Sequence, residues 1–241
     1  MIQFNNIQDF NDLLTIGTFG FRGEALASIT HVARVQITSK TKDSPCAFRG
    51  EFSDSKLLHP VKPCAGNTGT IVRVEDLFYN VIIRRQTLKT AREEYSKIVE
   101  VVSNYAILNA HKCSMTLKRI DDNANPSPDV RIVAETGMDD CIVELFGGEL
   151  SKQLLPVDYQ NDKLGFKLSG RISKPTYNSR KFRFIIFINK RLVHCALLKK
   201  SLETVYGNLL PKHSFPFVFL HLELPSKNLD VNVHPTKYEV C

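Results

Sequence analysis

Gly17-Thr18-Phe19-Gly20-Phe21-Arg22-Gly23-Glu24-Ala25-Leu26-Ala27-Ser28-Ile29 is the stretch on which the reading of this chain turns. Glycines at 17, 20 and 23 run directly into an apolar helical pattern. Leu26, Ile29 and Ala33 fall at i, i+3 and i+7, the spacing of a helix with one buried face. Glycine allows positive φ and close approach of a ligand to the backbone. Gly23 can act as N-cap, and Glu24 in the first turn suits the positive end of the helix dipole. A glycine loop feeding a helix N-terminus offers several N–H groups to an anion, typically a phosphate. No GK[ST] follows the glycines and no strand pattern precedes them, which excludes a Walker loop and a dinucleotide fingerprint.

Around this stretch lie 241 residues, 43% hydrophobic and 24% charged, the balance of a globular chain long enough for one large domain or two modest ones. No apolar run approaches the roughly 20 residues needed to cross a bilayer, and the N-terminal dozen lacks a signal-peptide core. The six cysteines form no C-x-x-C pair and the seven histidines no HExxH, so reduced thiols are expected rather than a disulfide or zinc framework. A net charge of +7 and a pI near 9.1 point to a polyanionic partner, nucleic acid first.

Residues 34–40 alternate as a strand, and 46–52 form a weaker one. Residues 56–69, with Pro60, Pro63, Gly66 and Gly69, read as a loop. Thr70–Val74 is β-branched and reads as a buried strand. Thr90-x-x-Glu93 is a capping box opening a helix whose stripe is Tyr95, Ile98, Val99, Val102, Tyr105 and Ala106. Strands are expected at 114–118 and 130–134, and a short helix at 141–146 ended by Gly147-Gly148. Residues 164–172, 182–188, 217–224 and 230–233 read as strands. A helix over 196–210 would bury Leu198, Leu202, Val205 and Leu209. These orders give an α+β fold, with one domain over 1–140 and a second over 141–241.

GFRGEALASI resembles the ATP-lid motif of the MutL mismatch-repair proteins, members of the GHKL ATPases. PCAGNTGT, followed by VEDLFYN, and DVNVHPTKYEV at residues 230–240 are similar to segments of the same family in the same order. VKPCAGN and VHPTKYEV bring the chain nearest to the eukaryotic homolog-one branch. The resemblance implies a partial Bergerat-type ATPase sandwich followed by a ribosomal-protein-like transducer domain. It implies that Gly20, Phe21, Arg22, Gly23, Glu24, Ala25 and Leu26 cradle ATP, that Thr70 lies near the adenine, and that Lys237 reaches the γ-phosphate. A lysine about 4 Å from a phosphate charge attracts it by roughly 4 kcal/mol at an effective dielectric near 20, before desolvation. FINKRLV at 187–193 resembles the segment whose arginine lines a DNA groove. Arg180, Lys181, Lys190 and Arg191 are therefore expected to meet DNA phosphates without sequence preference and with strong salt dependence.

The family's general base, magnesium-holding asparagine and DxGxG loop are missing from the chain. It is therefore expected to be a fragment, with the C-terminal dimerisation domain also absent, that does not hydrolyse ATP by itself. In the whole protein the resemblance implies ATP with Mg2+, a second MutL-type subunit as heterodimer partner, a MutS-type mismatch sensor and a nuclear location. A nucleotide-independent DNA or partner-binding module with a degenerate ATP site is the alternative.

Overall fold

The computed structural model describes residues 24–120 and 127–225. It divides into two compact units, residues 1–94 and 95–241. Expectations for residues 1–23 and 226–241, including the strand at 230–233, lie outside the described residues.

In the first unit, helix α1 (Glu24–Val32) follows the glycine stretch. Strands β1 (Arg34–Lys40), β2 (Ala47–Ser53), β3 (Lys56–Leu57), β4 (Lys62–Cys64) and β5 (Gly69–Glu75) form one antiparallel sheet, and helix α2 (Ile82–Thr87) follows it. The sheet order is β3-β2-β1-β5, with β4 also on β2. Ala33, Val35 and Phe52 are buried, and Leu26 and Ile29 of α1 pack against them with Ile37. That apolar pattern is the reason α1 lies on the sheet.

Two expectations are corrected here. Residues 56–69 contain the short strands β3 and β4. Residues 70–74 do form a strand, but all of β5 is exposed, Ile71 by 66%. β5 ends the sheet and pairs only with β1 among the described strands, so its β-branched residues specify backbone conformation without gaining a cover.

Helix α3 (Ala91–Asn109) starts at the capping box and continues into the second unit, where β6 (Met115–Leu117) pairs with β7 (Val130–Ile132). Helix α4 (Met138–Phe146) ends at Gly147, whose φ of 89° suits glycine, while Gly148 opens α5 (Gly148–Lys152) rather than closing α4. Strands β8 (Leu154–Asn161), β9 (Phe166–Ser173), β10 (Arg183–Ile188), β11 (Arg191–Val193) and β12 (Phe217–Glu223) form a sheet in the order β11-β10-β12-β9-β8. Helix α6 (Ala196–Gly207) connects β11 to β12, which runs parallel to β10.

The parallel pair is covered on both faces, so both strands are continuous apolar runs. Ile185, Phe187, Phe217 and Phe219 join Ile107, Cys141 and Ile142 in one core. The alternate residues Ile186, Ile188, Val218 and Leu220 join Tyr206 in the other. β9 must cross close to β12 at Gly170, where a Cβ would meet the Phe219 carbonyl oxygen. The buried seam of α6 differs from the expected one. Leu198, Val205 and Leu209 are exposed, whereas Tyr206 is buried and donates its hydroxyl to the Ser173 carbonyl at 2.6 Å.

Candidate functional site

The helix expected after the glycine loop is present and begins at Glu24. Ala25 is exposed, and Leu26 is half-buried against the first core. Gly20, Phe21, Arg22, Gly23 and Lys237 lie outside the described residues.

Thr70 is the second residue of β5 and stands opposite Ser39 of β1. Their hydroxyls are 2.8 Å apart, and Ser39 Oγ also donates to the Gly69 carbonyl at 3.4 Å. Gly69 has φ +133°, a conformation that favours glycine, and no heavy atom lies within 4 Å of where its Cβ would be. The result is an exposed hydroxyl pair beside open backbone, able to donate and to accept toward a base edge or a bridging water. Ser39 is not apparent from its own neighbours in sequence; only the β1–β5 register brings it to Thr70. Magnesium finds no match: among the described residues no group of three or more acidic, histidine or cysteine side chains could hold a metal ion.

The four basic residues expected to meet DNA fall into two pairs at opposite ends of β10. Arg180 and Lys181 are exposed just before it. Their loop is tied down by the Lys181 N–H donating to Ser179 Oγ (3.2 Å) and the Phe215 N–H donating to the Ser179 carbonyl (2.8 Å). Lys190 and Arg191 follow its far end, one strand length away, roughly 17 Å at about 3.3 Å per residue. Lys190 is exposed in the turn, and Arg191 is half-buried, its pKa lowered by desolvation and held up by nearby Tyr105. Near the first pair, the Lys199 ammonium sits 5.4 Å over the Phe182 ring, and Phe182 stacks on Phe215. Arg183 is laid 4.4 Å over Phe146. The basic surface therefore has a footing of aromatic rings that runs of charge alone do not disclose.

His221 is buried and structural. Its Nε2 accepts the Lys190 N–H at 3.3 Å, and burial lowers its pKa from the ordinary 6.5. Nδ1 then carries the proton, so the 3.9 Å approach to Glu223 is not an ion pair while the ring is neutral.

A family model described as the DNA mismatch repair protein, C-terminal domain, matches residues 142–241. The DNA mismatch repair protein Mlh1 of Dictyostelium discoideum is 41% identical over 98% of this chain and 30% of its own length. MutL of Halothermothrix orenii is 37% identical over 98% of this chain and 35% of its own length. The chain belongs to the MutL family of DNA mismatch repair proteins. It spans about a third of the length of these MutL relatives. A solved structure of the N-terminal domain of a DNA repair protein, 30% identical, superposes with a TM-score of 0.81 over 95% of this chain and 72% of that one. The Aquifex aeolicus MutL ATPase domain complexed with ADP, 24% identical, shares the fold with a TM-score of 0.63 over 84% of this chain and 72% of that one. The α+β fold expected from the sequence is thus that of MutL ATPase domains.

Proposed function

We propose that this chain supplies the nucleotide lid and the DNA-facing transducer of a MutL-type protein in which ATP gates a clamp on DNA. In this reading residues 1–140 belong to the ATPase domain, and residues 141–241 form the transducer. The observation that supports the nucleotide role is the Thr70–Ser39 hydroxyl pair, set at an open β-strand in a family member whose glycine stretch leads into α1. In this reading Gly20 to Leu26 wrap the phosphates, Thr70 meets the base, and Lys237 meets the γ-phosphate. ATP would supply the charge that orders the lid. Loss of the γ-phosphate would release Lys237 and open the clamp.

Arg180, Lys181, Lys190 and Arg191 contact the DNA backbone in the same reading, and a spacing of one strand length lets two separated phosphates be held at once. In the whole protein, ATP binding and hydrolysis drive association with a second MutL-type subunit in the nucleus, and a MutS-type sensor reports the mismatch.

Titration of the chain with a fluorescent ATP analogue tests the reading. Binding that is weakened by Thr70→Ala and by Lys237→Ala is expected. Salt-dependent DNA binding with no response to the analogue, in wild type and variants alike, would favour the nucleotide-independent module instead. For DNA, each phosphate contact removed by Lys190→Gln or Arg191→Gln should lower the slope of log affinity against log salt by about 1.

A further inference from the structure

The Phe78-Tyr79-Asn80 stretch has no role in the reading above. In the structure it closes the C-terminal end of α1. The last carbonyls of a helix have no partner within it. In α1 each of the last three is satisfied from outside: Thr30 accepts the Ser55 N–H (3.1 Å), His31 accepts Asn80 Nδ2 (2.8 Å), and Val32 accepts the Phe78 N–H (2.7 Å).

Those donors are themselves fixed together. Asp54 and Ser55 form the turn between β2 and β3, at φ 49° and 62°. Asp54 Oδ1 accepts the Tyr79 hydroxyl at 2.6 Å and Asn80 Nδ2 at 3.3 Å. The Tyr79 hydroxyl also lies 3.0 Å from Ser53 Oγ. Arg34 pairs with Asp76 at 3.4 Å and lies 5.8 Å over the Tyr79 ring. Asp76 and Phe78 have φ of 52° and 62°, a left-handed conformation uncommon for a bulky aromatic. Such geometry persists where surrounding contacts over-determine it, and here it aims the Phe78 N–H at the helix end.

We propose that Tyr79 and Asn80, braced by Asp54, are positioning residues: they hold α1 by its C-terminal end and so set where its N-terminal end, at Glu24, is presented to the nucleotide. The proposal rests on the nucleotide role proposed above for that end of the helix. α1 has nine residues, about 13 Å of helix, so a tilt of about 10° at the anchored end moves its N-terminal end by roughly 2 Å. Displacements of that size at a binding site cost affinity and rate.

The test is amide hydrogen exchange on the chain carrying Tyr79→Phe or Asn80→Ala, with affinity for a fluorescent ATP analogue measured on the same samples. Tyr79→Phe keeps the ring and removes only the hydroxyl, so it reports even where Asn80→Ala fails to fold. Exchange across 28–33 should rise roughly two- to tenfold, the loss of about one net hydrogen bond, while β1 and β2 keep their protection. Affinity for the analogue should fall over the same range. Unchanged exchange in α1, or an equal rise in β1 and β2, overturns the anchor. Local loosening with unchanged affinity overturns its positioning role. Should the wild-type chain bind no analogue, the nucleotide role falls, and the exchange comparison alone decides whether these bonds hold the helix.

Discussion

Replacing Asn189 by alanine should destabilise the second unit by about 2–3 kcal/mol, more than is usual for a turn residue. Asn189 and Lys190 link β10 to β11 at φ 45° and 66°, a two-residue turn with both residues left-handed. Asparagine tolerates that conformation, whereas alanine loses about 1 kcal/mol there. The side chain also forms a two-way clamp: Nδ2 donates to the Leu224 carbonyl and Oδ1 accepts the Leu224 N–H, both at 2.8 Å. Each such bond nets about 1 kcal/mol, less where water can reach the abandoned partner. Asn189→Gly separates the contributions, since it keeps the turn and loses the clamp, at about 1.5–2 kcal/mol by the same accounting. Urea unfolding followed by far-ultraviolet circular dichroism, at unchanged m-value, measures both. A glycine variant within 0.5 kcal/mol of wild type, about the scatter of a neutral surface change, would refute the clamp. Equal losses for glycine and alanine would refute the conformational share. The turn that the clamp holds carries Lys190 and precedes Arg191, two of the residues proposed above to contact DNA.

Three other perturbations have defined outcomes. Thr90→Ala breaks a reciprocal box in which the Glu93 N–H donates to Thr90 Oγ1 (3.3 Å) and the Thr90 N–H donates to Glu93 Oε2 (3.1 Å); about 1 kcal/mol should be lost in chemical denaturation, with Thr90→Ser restoring most of it. Asp139 accepts two bonds from Arg171, at 2.6 and 2.8 Å, which lower its pKa below 3.8. This stabilisation is present above pH 3.8 and is lost as pH falls through the lowered folded value, so Asp139→Asn should flatten the decline in melting temperature below about pH 4, and an unchanged decline would exclude the pair as its source. His221 has its pKa lowered by burial, with Lys190 and Lys112 acting in the same direction and Glu223 opposing. Its neutral form therefore stabilises fully above 6.5, and that contribution declines as pH falls through the lowered folded value; His221→Gln, which keeps an acceptor without a titrating proton, should lose less melting temperature between pH 7.5 and 5.5 than wild type.

What the sequence discloses divides by the range over which its physics acts. The capping box lies within four residues and forms as expected. β10 and β12 declare themselves as apolar runs because both of their faces are covered, and α1 by one repeat of helical spacing. The misreadings arise where a neighbour decides the outcome. Leu202 and Tyr206, rather than Leu198, Val205 and Leu209, form the inner seam of α6, because the Tyr206 hydroxyl has a carbonyl to meet on Ser173. Thr70 and Ile71 have every mark of a strand and none that tells whether another element lies against them. Ser39 becomes part of the candidate site only through the β1–β5 register. Asn80 is the sharpest case, since its amide satisfies a helix carbonyl at His31, 49 residues earlier in the chain. A motif's residues can therefore be read from sequence as belonging together while the group they serve stays hidden. Here that group is the C-terminal end of α1, which Phe78 and Asn80 reach from about fifty residues away in the chain.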